Sequence, residues 1–202
     1  MDVLSRNRLA VSRGLARPMA CAWVLAALAL SACAISPPHA AAQLELESVA
    51  EYQVKAAFLF SFAKFVDWPD SSFADAQAPI VIGVLGDNPF GDDLDRLVAG
   101  QTVKNRSIRI GKHRFGDDLR ACHILFISES EHTRVPQVLA SLQGASVLTV
   151  SDIDGFAKGG GVMQFILEED RVHFVVNLDS ATRAKLKINS KLLALAQVIG
   201  TK

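Results

Sequence analysis

The chain is 202 residues long, with 21 basic and 21 acidic side chains, and half of its residues are apolar. Residues 1–42 carry four Arg and Asp2, so the 160 residues that follow hold 17 basic against 20 acidic side chains, a net charge of −3. Such a surface has no basic footprint for nucleic acid, and this length suffices for one domain around a single core.

The N-terminal stretch reads as an export signal. Arg6, Arg8, Arg13 and Arg17 form a basic n-region, and Met19 to Leu30 is an apolar run of h-region length. That run falls short of the roughly twenty apolar residues of a membrane span. Two processing sites are legible. Ala40-Ala41-Ala42 before Gln43 suits ordinary signal peptidase, and Leu30-Ser31-Ala32-Cys33 is an acceptable lipobox in which Cys33 would be lipidated. The expected organisation is a signal peptide over 1–42 and one domain over 43–202. Cleavage after Ala42 leaves Cys122 as the only cysteine, so no intramolecular disulfide can form.

The first predicted element of the domain is a helix from Val54 to Val66, ended by Pro69 and Asp70-Ser71-Ser72. Val54, Phe58, Leu59, Phe62, Phe65 and Val66 recur at three- and four-residue spacings, as a core-facing stripe requires. Gln53, Ser61, Lys64 and Asp67 fall on the opposite face, and Phe60 lands among them. An aromatic ring there either covers a neighbouring loop or marks a contact surface, which makes Phe60, Lys64 and Asp67 candidate partner-binding residues. Lys55 falls on the apolar side, where it either snorkels outward or pairs with Glu51 one turn earlier.

Ile80–Leu85 is a continuous apolar run, the pattern of a strand covered on both faces. Phe90 to Ala99 reads as a short helix, Ser107–Ile110 as a strand nearer an edge, and Asp117-Asp118 as the opening of a turn or brief helix. Ile124–Ile127 is a second buried strand. Glu131 to Leu142 is helical provided that Pro136 lies in its first turn, and Val147–Val150 is a third buried strand. Val162–Leu167 and Val172–Val176, separated by Glu168-Glu169-Asp170-Arg171, form an antiparallel hairpin. Asp179 can cap a short helix, and Asn189 or Ser190 a final one over Lys191–Ile199. Alternation of strands and helices predicts an α/β fold: a three-layer, doubly wound, mostly parallel sheet with the hairpin as an antiparallel C-terminal edge.

Chemistry is sparse in this sequence. The loop Gly86-Asp87-Asn88-Pro89-Phe90-Gly91 follows a strand and precedes a helix, where open α/β sheets bind ligands. It has neither the G-x-G-x-x-G spacing nor a Walker lysine. Ser151-Asp152-Ile153-Asp154-Gly155 leaves another buried strand, so Asp87, Asn88, Asp152 and Asp154 form a candidate ligand loop, with a turn-and-cap role as the simpler alternative. His113, His123, His132 and His173 show no metal-ligand spacing, and Ser128 lies in no nucleophile elbow. No catalytic residue, metal or cofactor is assigned.

The run Lys55-Ala-Ala-Phe-Leu-Phe-Ser-Phe-Ala-Lys-Phe-Val-Asp-Trp-Pro69 also resembles the opening helix of the YfiR-like family, which includes YfiR and HmsC. Pro79–Gly91, Cys122–Ser128, Val147–Phe156, Val172–Leu178 and Lys187–Leu193 continue the resemblance in order, from Glu51 to Ile199. The resemblance implies a soluble periplasmic regulator that binds the periplasmic part of a membrane-bound diguanylate cyclase and represses it, lowering cyclic-di-GMP and biofilm output. It favours release after Ala42 over an anchor at Cys33, and membrane association only if Cys33 is lipidated. A homodimer stays open. The single Cys122 departs from family members with cysteine pairs. Two other classes remain from the residues themselves: a small-ligand module using the Asp87 loop, and an enzyme of unknown reaction.

Overall fold

The computed structural model describes residues 38–200, with side chains from residue 48 onward. Residues 1–37 of the expected signal segment, Cys33 among them, lie outside the described residues, while residues 38–42 are described as helix. Contacts divide the chain into units 1–42 and 43–202, and the architecture below is that of the second, whose first helix starts at residue 38.

Helix α1 (Pro38–Phe65) leads into a two-residue strand, β1 (Val66–Asp67). Then follow β2 (Ile80–Leu85), α2 (Asp93–Val98), β3 (Thr102–Val103), β4 (Arg106–His113), β5 (Ile124–Ile127), α3 (Val135–Ser141) and β6 (Leu148–Ser151). The hairpin β7 (Met163–Glu168) and β8 (Arg171–Asn177) precedes α4 (Leu178–Arg183), β9 (Lys187–Ile188), α5 (Ser190–Leu193) and β10 (Gln197–Ile199). The main sheet has eight strands in the order β10-β8-β7-β6-β5-β2-β4-β3. All neighbours are parallel except β7–β8 and β3–β4. The fold is the doubly wound α/β arrangement expected.

Two cores flank the sheet. One packs Leu59 and Phe62 of α1, with Val66 of β1, onto Ile82, Phe126, Phe165 and Phe174. The other packs Val138 of α3, with Leu142, onto Leu85, Leu125 and Ile127. Every residue of β5 and β6 is buried, which is why both read as unbroken apolar runs or nearly so.

Several boundaries differ from the sequence reading. Helix α1 begins sixteen residues before Val54, and Val54 itself is 45% exposed. Val66 leaves the helix to pair with Ile188 in a small antiparallel sheet, β1–β9. The segment expected as one helix over Lys191–Ile199 is a four-residue helix followed by β10, because β8 has a free edge that Gln197, Val198 and Ile199 satisfy in parallel. The hairpin is therefore one strand in from the edge. Asn177, not Asp179, caps α4, its side chain accepting the Ser180 N–H. Asn189 caps α5 by accepting the Lys191 N–H. Pro136 sits in the first turn of α3, as tolerance of proline demands.

Candidate functional site

Chain order places a topological switch between β2 and β5. After β2 the chain crosses to β4 on one side, and after β5 it moves to β6 on the other, so the crevice lies at their C-terminal ends. The loop 86–91, the segment 128–131 and Asp152 all lie at these strand ends.

That crevice is occupied by the protein's own side chains. Phe90 is buried, stacked edge-on against Phe126 at 4.8 Å and against Tyr52 of α1 at 5.6 Å. Gly86 adopts φ +88°, and a Cβ there would come 2.4 Å from Ser130 Oγ, so no side chain larger than hydrogen fits. The Asp87 N–H donates to Ser130 Oγ at 2.9 Å, while the Asp87 carboxylate is exposed. Asn88 is consumed by its own turn, accepting from Phe90 N–H and donating to Gly91 O. Ser128 is buried, and its N–H extends the ladder to Leu85 O.

Over β6 lies an ionic cluster that the sequence reading caught only in part. Lys55 is buried, its Nζ 2.6 Å from Glu51 and 2.5 Å from Asp152 Oδ2. Tyr52 donates its hydroxyl to the same Oδ2 at 2.9 Å, and its ring lies 4.3 Å from the Lys55 ammonium. Burial, then the charge and hydrogen bond of Asp152, push the Tyr52 pKa above its ordinary range. Asp152 Oδ1 is buried without a hydrogen-bond partner. Glu51 was legible as a partner one helical turn away; Asp152, 97 residues distant, was not. Asp154 is exposed. The four residues of the candidate ligand loop thus have separate roles: Asn88 in a turn, Asp152 in an ion cluster, Asp87 and Asp154 at the surface.

The candidate partner face lies on α1 and just beyond. Phe60 is half-buried against the core, and its outer side is covered by the Lys64 ammonium at 3.9 Å. Asp67 is exposed and pairs with Lys104, whose ammonium also bonds Val66 O at 3.0 Å.

Two further groups stand at the other end of the sheet. His123 is buried, and its Nδ1 accepts the Val81 N–H at 3.1 Å. Its ring stacks on Phe73 at 4.4 Å and meets Trp68 edge-on, while Trp68 Nε1 donates to His123 O. Nε2 is buried without a hydrogen-bond partner. Burial holds its pKa below the ordinary value; the Ser72 backbone opposes this and Arg106 reinforces it. Cys122 is buried 3.4 Å from His113 Nε2, and burial, assisted by Asp118, pushes its thiol up to about 11. At neutral pH it is a protonated, unreactive group.

The geometry defines an α/β domain whose strand-end crevice is plugged from within. The family model described as YfiR/HmsC-like matches residues 52–197, and the chain belongs to that family. Among solved structures, it is similar to a conserved domain protein from Vibrio cholerae O1 biovar El Tor, at 11% identity and a TM-score of 0.44 over 58% of this chain and 54% of that one. It is also similar to an ABC domain in complex with L-Trp from Streptococcus pneumoniae, at 12% identity and a TM-score of 0.41 over 59% and 55%. The chain spans about half the length of each. Among the described residues, no helix is long and apolar enough to cross a membrane.

Proposed function

We propose that this chain is a periplasmic regulatory protein that binds the periplasmic portion of an inner-membrane diguanylate cyclase and holds it inactive. Family membership over 52–197 supports a partner protein in signalling. The observation that carries the binding reading is the strand-end crevice, where Phe90, Tyr52, Lys55 and Asp152 fill the place that an α/β enzyme keeps for substrate. A protein that acts by binding needs only a surface that prefers one conformation of its target. A preference of about 10⁴-fold, roughly 5.5 kcal/mol, swings a two-state partner almost completely.

In this reading the mature protein begins at Gln43 and is soluble, and Phe60, Lys64 and Asp67 contribute to the docking face. A lipid anchor at Cys33 is the other processing outcome, and intact mass of the periplasmic fraction distinguishes them. The alternative of a small-ligand module at the Asp87 loop has less support, because Asn88 and Asp152 are engaged inside the fold. Co-purification from detergent-solubilised membranes tests the reading. Tagged wild type retains the cyclase and a Lys64→Glu variant with an unchanged melt retains less. Absence of the cyclase from the wild-type eluate would refute it.

A further inference from the structure

A second concavity lies away from both the strand-end crevice and the α1 face. It is a pocket of about 310 Å³, bounded by the end of α3, the Gly160 loop, the start of β6 and α4. Its walls are Leu139, Leu142, Val147 and Val162, and its polar members include Thr149, Ser180 and Arg183. No Asp or Glu lines it. Apolar walls with a few convergent polar groups are the usual make-up of a small-molecule site, and this volume is at the small end of that range.

The polar groups share one character. Thr149 and Ser180 are both 4% exposed. Thr149 Oγ1 accepts the Val162 N–H at 3.0 Å, so its own hydroxyl proton is left to donate. Ser180 Oγ accepts from Arg183 at 2.8 Å, which leaves its hydroxyl proton in the same position. Arg183 lines the pocket as an exposed side chain, tethered to it by that bond. Two buried hydroxyl donors and one cation, with no carboxylate in the lining, select an anion. A single guanidinium matches a single negative charge and binds a carboxylate in bidentate fashion. The four aliphatic walls require the rest of the ligand to be apolar.

We propose that this pocket binds a small monocarboxylate with a short apolar body, its carboxylate held by Arg183, Ser180 and Thr149. The site is independent of the docking face and does not rest on the regulatory reading.

Binding is tested with sodium hexanoate and sodium phenylacetate as probes, titrated to millimolar concentration and followed by backbone amide NMR shifts and by calorimetry. Hexan-1-ol, hexylammonium and inorganic phosphate serve as controls. At least one carboxylate should saturate, shifting Val147, Thr149 and Val162 amides, while the three controls bind much more weakly. Arg183→Gln should weaken the carboxylate by about ten- to a hundredfold, the range for a charge-assisted hydrogen bond. Leu139→Trp, which fills the pocket from its wall, should abolish binding while the circular-dichroism melt shows a folded protein. Failure of both carboxylates to shift these amides overturns the proposal. So does phosphate binding as tightly as the carboxylates, or carboxylate binding that survives both substitutions.

Discussion

Lys55 is held by two carboxylates and an aromatic face in a place almost shut off from water, so its removal strands charge. Lys55→Met should lower stability by about 3 kcal/mol in urea melts, because a broken buried pair leaves its partner uncompensated. Tyr52→Phe removes only one donor to Asp152 and should cost about 1 kcal/mol. The two effects should couple in a double-mutant cycle, since both act on one oxygen. Strict additivity would contradict the cluster. His123 makes a pH-dependent contribution. Its folded pKa lies below the ordinary 6.5, so the unfolded chain takes up a proton first as pH falls. Stability from this group is full above about 6.5, declines as pH drops toward the folded pKa, and is level below it. Urea melts at about pH 5 and about pH 7.5, either side of the ordinary histidine range, should show this difference in wild type and a smaller one in His123→Gln. The imidazole stack was not legible from sequence: His123 read only as a strand histidine, and its partners Val81, Phe73 and Trp68 come from three other segments.

At the scale of elements, α1 is both the lid of the sheet and the site of the candidate docking face. Phe60 is half-buried, so Phe60→Ala should cost about 1–2 kcal/mol, less than the 3–5 kcal/mol of a fully buried phenylalanine. Cyclase retention should fall more than that loss explains. A loss above 3 kcal/mol with unchanged retention would make the ring purely structural. Leu59 and Phe62 were readable as a core-facing stripe because a helix on a sheet needs that spacing. Val54 was misread, since the apolar period continues past the region where the sheet lies beneath the helix. The C-terminal segment shows a different limit. Leu192 to Ile199 is apolar enough for a helix, and what turns its last residues into a strand is the unpaired edge of β8, twenty-two residues earlier. Strand formation of this kind depends on the neighbour more than on local propensity. The buried strands β2, β5 and β6 were plain in the sequence for the opposite reason: a strand covered on both faces must be apolar throughout.

For the whole molecule, the switch point that serves ligand binding in many α/β folds is filled here by Tyr52 and Lys55 of α1 together with Phe90 and Asp152. The order of elements was legible because each strand–helix alternation leaves its own period. The ion cluster that seals the crevice was not, because Asp152 reaches Lys55 only after the sheet has formed. The crevice and the candidate docking face can be altered separately, and cellular cyclic-di-GMP reads both at once. It should be measured in a strain that retains the cyclase but lacks this gene, and again after complementation with wild type, with Asp87→Ala/Asn88→Ala and with Lys64→Glu. The account predicts a rise on deletion, full repression by wild type and by the loop double variant, and weakened repression by Lys64→Glu. Unchanged cyclic-di-GMP on deletion would contradict it.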